Sequence, residues 1–312
     1  MTREEAFSFP SADGKTQIHA VKWIPESGEY RAILQISHGM IEYIERYRSF
    51  AEYLNERGFL VVGHDHLGHG GSVASENDYG YMAEGNPSDT LVADMHKLRT
   101  LIQKENPGVP YFMAAHSMGS YMLRKYLTIH NQNLSGAVVM GTGMVADAVM
   151  KFGMFLCKFY AKRHGWHYIS DFIIKLSFAG SYKKFDVTGE NAGNSWLTRD
   201  VESVKAYYAD SKCSFKFTVN GYYGLMQAVY YDNQQENANK IPKDLPMLIV
   251  SGDQDPVGDL GVGVSKVCAM YQKAGIKDLT CKLYKDARHE LLNETNKAEI
   301  FEDIYTWLDE RV

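Results

Sequence analysis

Short apolar runs that alternate with amphipathic segments constrain this chain more than any other feature. The runs fall at 32–36, 59–62, 109–115 and 137–140, and segments of helical spacing at 47–57, 91–103 and 118–130 separate them. A continuously apolar strand is buried on both faces, and a strand–helix–strand rhythm sets such strands side by side in a mostly parallel sheet covered by helices. Ahead of the rhythm, 7–9 and 16–23 flank the turn Ser11-Ala12-Asp13-Gly14, which predicts an antiparallel opening hairpin.

The rhythm stops after Gly141-Thr142-Gly143 and resumes with strand-like runs at 246–251 and 279–284 and a last helix over about 296–308. Residues 144–235 are rich in aromatics and methionines, among them Met150, Phe152, Met154, Phe155, Phe159, Trp166 and Trp196. They predict a predominantly helical cap inserted over the strand ends, with 1–143 and 236–312 forming one α/β core. A second structural domain or a dimer face is the alternative reading of the same apolar helices.

At 312 residues and 45% hydrophobic content the chain can bury a large core. A net charge of −5 with scattered lysines gives no nucleic-acid footprint and points to small-molecule partners. The charged start Met1-Thr2-Arg3-Glu4-Glu5 lacks the apolar stretch of a secretory signal, and no segment reaches membrane-span length. Cys157, Cys213, Cys268 and Cys281 show neither close pairing nor metal spacing, and read as reduced thiols of a cytoplasmic protein.

Chemistry concentrates at the ends of the predicted strands. Ser117, in Ala115-His116-Ser117-Met118-Gly119, follows an apolar strand and precedes Met122, Leu123, Tyr126 and Leu127 at helical spacing. That context fits a nucleophile elbow, a strained strand-to-helix turn that needs small neighbours; an ordinary helix N-cap is the bland alternative. A serine nucleophile needs a base, an acid that orients the base, and donors for the oxyanion. His289 follows the last strand-like run and is the candidate base. Asp253 and Asp255 both follow the run at 246–251 and suit the acid by local chemistry, with Asp147 a weaker choice. Backbone N–H groups of Met118 and of Met40, in the loop His38-Gly39-Met40, are the candidate oxyanion donors. Ser117, then the aspartate, then His289 is the chain order of α/β-hydrolases. His64, His66 and His69 are a possible metal cluster, but the surrounding glycines suit a tight loop better, and no metal is expected.

These residues resemble the monoacylglycerol lipase and lysophospholipase group of α/β-hydrolases, also classed with the serine aminopeptidases. His38-Gly39-Met40-Ile41-Glu42-Tyr43 resembles the motif H-G-x-x-E-H, with Tyr43 replacing the last histidine. Asp65 to Ser72 resembles D-x-R-G-H-G-x-S, with Leu67 at the arginine, and the elbow matches G-H-S-M-G except at Ala115. Gly252 to Val257 resembles G-x-x-D-x-V, and this selects Asp255 as the acid. Asn194-Ser195-Trp196-Leu197-Thr198-Arg199-Asp200 is similar to a cap segment of bacterial members.

The resemblance implies an α/β-hydrolase fold and cofactor-free hydrolysis of an acyl ester such as a monoacylglycerol or lysophospholipid. Phe152, Met154, Phe155 and Phe159 would suit transient contact with a membrane surface. Two other functions stay open: a peptidase or amidase, for which Glu190 or Glu202 could hold an amine, and a non-catalytic binding protein on the same fold.

Overall fold

A computed structural model describes residues 2–312 and arranges them around one eight-stranded sheet of order β1-β2-β4-β3-β5-β6-β7-β8. The strands are β1 (Thr2–Pro10), β2 (Gln17–Pro25), β3 (Ala32–Ser37), β4 (Phe59–His64), β5 (Tyr111–His116), β6 (Gly136–Met140), β7 (Met247–Gly252) and β8 (Leu279–Tyr284). β1 pairs with β2 and β2 with β4 antiparallel, and the remaining pairs are parallel. The opening hairpin and the parallel sheet are therefore both present.

Helices cover the sheet on both faces, and strand periodicity sends alternate residues to each. From β5, Phe112 and Ala114 face α1 (Arg48–Asn55), while Tyr111, Met113 and Ala115 face α2 (Pro87–Glu105) and α3 (Met118–Leu127). β5 begins at Tyr111, later than the apolar run, because Pro110 has no N–H for the ladder and contributes only its carbonyl, to Ile33 N. α2 begins at Pro87, ahead of the expected 91, since proline is well suited to the first helical turn.

Between β6 and β7 lie α4 (Asp147–His164), α5 (Asp171–Ser177), α6 (Val201–Ala209), α7 (Val219–Asp232) and α8 (Gln235–Ala238), with short 3-10 turns between them. α7 packs on both α2 and α3. The Asn220 side chain also bonds the backbone of Met82 and Ala83. α9 (Val262–Ala274) follows Gly261 in a left-handed conformation, and α10 (Lys297–Asp309) covers the α1 face.

The cysteines correct an expectation. Cys268 of α9 and Cys281 of β8 form a disulfide across a Cα separation of 6.5 Å, while Cys157 and Cys213 are buried free thiols. The two bridged cysteines stand thirteen positions apart, and only the packing of α9 against β8 makes them neighbours. The thiol argument for a reducing compartment falls with this bridge. No helix among the described residues is long and apolar enough to cross a membrane.

Candidate active site

Ser117 joins β5 to α3 at φ 52°, ψ −121°, a conformation that a side chain adopts only under strain. Two glycines make the turn possible. A Cβ on Gly119 would lie 2.5 Å from the carbonyl oxygens of Ser37 and His38, and one on Gly39 would lie 2.9 Å from the Ser117 Cβ. The loop after β3 therefore crosses directly over the first turn of α3. Ala115 points away from the turn into the core, so its methyl group is packing. The N–H groups of Met40 and Met118 meet no protein acceptor among the described residues, which leaves both free for a ligand oxygen.

Asp255 lies beyond the end of β7 and His289 beyond the end of β8, both buried. His289 Nδ1 stands 3.0 Å from each Asp255 carboxylate oxygen. Nδ1–H donates to the carboxylate, which leaves Nε2 as the proton acceptor. Ser251 Oγ at 2.9 Å and Val257 N at 2.8 Å also donate to Asp255. Burial alone would raise the Asp255 pKa, but the charge and hydrogen bond of His289, with these two donors, bring it below the usual carboxylate value.

Ser117 and His289 share neighbours. Ser117 N–H donates to Met140 O, and a Cβ on the next residue, Gly141, would lie 3.1 Å from His289 Cε1. Among the described residues no hydrogen bond joins the Ser117 hydroxyl to His289. Such bonds are often long in ligand-free sites. The other acid candidates go elsewhere. Asp253 Oδ1 accepts from Asp286 N, a turn role, and Asp147 at the start of α4 holds Asn233 and Gln234.

A buried network beneath the site involves residues to which sequence reasoning gave no role. Glu42 Oε1 accepts from Gly39 N at 2.5 Å, His116 Nδ1 at 3.1 Å and Tyr47 OH at 3.0 Å. His116 Nε2 lies 3.1 Å from the His289 carbonyl oxygen. Both partners of His116 are acceptors, so both ring nitrogens donate and the ring is an imidazolium. Burial opposes that charge, but the Glu42 hydrogen bond and its negative charge outweigh burial and raise the His116 pKa. Arg46 closes the network with a bond to Glu42 at 2.7 Å and two bonds to Glu290 at 2.8 Å. Two cations and two carboxylates balance without bulk water. The charged residues of 42–46 were the available signal, and their partners Glu290 and His116 lie far along the chain.

One buried histidine, His38, fixes the loop after β3. His66 N–H donates to His38 Nε2 at 2.9 Å, so His38 Nδ1–H donates to Gly39 O at 2.8 Å and fixes that loop. His64, His66 and His69 are buried and stay neutral, burial holding His64 and His69 down to about 3. Among the described residues the group whose ligand atoms lie within 4.8 Å of one another is His19, Glu45 and Asp65. There His19 pairs with Glu45 at 2.8 Å and Asp65 accepts from Ile44 N and Gly71 N, so each already has a partner.

Comparison with known proteins fits this geometry. A family model described as serine aminopeptidase, S33, matches residues 28–296. The chain belongs to that family of α/β-hydrolases. It is similar to a monoglyceride lipase homolog of Monkeypox virus, 28% identical with 90% of this chain and 91% of the relative covered. The monoglyceride lipase of Rattus norvegicus is 26% identical, covering 97% and 89%. Among solved structures, a carboxyl esterase from Bacillus coagulans in complex with glycerol has a TM-score of 0.89 and 27% identity, covering 100% of this chain and 99% of that one. A soluble variant of the Saccharomyces cerevisiae monoglyceride lipase superposes with a TM-score of 0.77 at 21% identity, covering 99% and 95%, and shows the shared fold.

Proposed function

We propose that the protein is a serine hydrolase of lipid-type carboxylic esters, of the monoacylglycerol or lysophospholipid kind, acting through an acyl-enzyme. The observation that carries this reading is the strained Ser117 turn set beside the buried His289–Asp255 pair. Ser117 attacks the ester carbonyl as His289 Nε2 takes its proton, and Asp255 holds the imidazole in that tautomer. The Met40 and Met118 N–H groups receive the oxyanion, and a second attack, by water, releases the acid. These steps need no cofactor.

Residues 144–235 are proposed as the cap over this site. On α4 the side chains of Phe152, Phe155 and Phe159 are 52%, 62% and 47% exposed, and Phe172 of α5 is 54% exposed. A cluster of exposed aromatics with Lys151, Lys158, Lys162 and Arg163 on the same helix suits transient contact with a lipid surface. Glu190 and Glu202, the acids an amine-binding peptidase would need, are both exposed, and Glu202 pairs with Lys205. A cytoplasmic setting remains part of the proposal, with the Cys268–Cys281 bridge as the observation against it.

A fluorophosphonate probe should label the protein and fail to label Ser117→Ala. Activity on p-nitrophenyl esters should rise from short to medium and long acyl chains; a steady fall would remove the lipid assignment. Preference for aminoacyl amides over esters would favour the peptidase.

A further inference from the structure

We infer that Trp196 is a positioning residue for His289 and that its indole face stabilises the imidazolium formed during acyl transfer; this rests on the triad proposed above. The rings of Trp196 and His289 stack with centroids 5.0 Å apart and planes 27° from parallel. A cation over an aromatic face is held by the ring quadrupole, most strongly by tryptophan and most strongly where water is excluded. His289 is buried, and in the proposed reaction it becomes positively charged on taking the serine proton, so the contact strengthens in the transition state.

Trp196 is held in place from both sides. Tyr182 and Phe178 meet its ring edge-on at 5.4 and 6.0 Å, and its backbone N–H donates to Asp186 O at 3.1 Å. Its chain segment is laced to the loop that carries the base. The Arg288 guanidinium donates to the carbonyls of Gly193, Ser195 and Thr198, and Glu290 N–H donates to Leu197 O at 2.7 Å. Thr198 Oγ1 donates to Asn293 O at 2.9 Å, and Arg199 pairs with the buried Glu294 at 2.9 Å. So many bonds between one segment and one loop fix the indole relative to the imidazole, which distinguishes a support from a gate.

The test uses Trp196→Leu and Trp196→Phe with Ser117→Ala as control, all first shown to unfold cooperatively in urea. On a short p-nitrophenyl ester, Trp196→Leu should lower kcat about 3- to 30-fold with little change in KM. The acidic limb of its kcat/KM profile should move to lower pH, because the imidazolium has lost its support, and Trp196→Phe should restore most of both. Asp255, His116 and, on the same loop, Arg288 and Glu290 also face or flank His289, and neither substitution alters them. A fall in kcat with an unmoved acidic limb, a change in KM alone, or faster turnover in Trp196→Leu would overturn the inference. If Ser117→Ala stays active, the triad itself is wrong; if it is inactive while the Trp196 profiles match the parent, only the role of Trp196 fails.

Discussion

Two parts of the stretch between β6 and β7 use aromatic residues in opposite ways. Around 193–200, Trp196 sits half-buried against His289, and Arg199, Arg288 and Glu294 bind segment and base loop into one unit. Along α4, Phe152, Phe155 and Phe159 recur on an outward face and are about half exposed. The same composition therefore serves placement in one region and exposure in the other. What separates them is the polar lacing, present around Trp196 and missing around the phenylalanines.

The largest effect that would test this contrast lies at the laced side. Asp255→Asn should lower kcat by about 10⁴ while leaving the fold intact, because the amide no longer selects the tautomer with a free Nε2; steady-state kinetics with a urea melt as control would decide. Next, Glu294→Ala leaves Arg199 and the Arg288 N–H without their buried partner. It should cost about 3–5 kcal/mol of stability and reduce turnover as well. An equal loss on substituting an α4 phenylalanine would erase the distinction between the two regions.

An intermediate effect comes from pH. Unfolded histidines titrate near 6.5, whereas His64 and His69 titrate at about 3 in the fold and His66 well below its usual value, all through burial. Between pH 6.5 and about 3 the unfolded chain binds more protons at these three sites, so stability falls on acidification, by at most about 1.4 kcal/mol per pH unit per site. Burial raises Asp94 to about 6 and Asp232 to about 8, which works the other way. Glu42 and Asp255, both lowered, add to the loss below about pH 4. Urea midpoints at pH 7, 5 and 3 should fall steadily and then more steeply; constant midpoints would refute the account. The smallest effect belongs to the exposed face: Phe155→Ser should change stability by less than about 0.5 kcal/mol and leave soluble-ester hydrolysis unchanged. Its co-sedimentation with lipid vesicles should weaken several-fold.

Local sequence carried the sheet and the elbow because their signals are local. A buried strand must be apolar throughout, and the turn at Ser117 needs Gly119 beside it. The stacking of Trp196 on His289, the His116–Glu42 bond and the Cys268–Cys281 bridge were not legible. Each joins elements whose adjacency is decided by the order of strands in the sheet. Asp255 required the family resemblance, since Asp253 offers the same chemistry two residues earlier and is set apart only by where the turn points it.

The disulfide bears on how the molecule fails. β8 is one of the two edges of the sheet, with Thr280, Cys281 and Leu283 exposed, and an unpaired edge is where strands peel away or recruit another chain. The same strand leads into the loop of His289, so fraying at this edge would also displace the proposed base. The Cys268–Cys281 bridge fastens β8 to α9 and so ties the order of this edge to the placement of His289; reduction is expected to loosen both together.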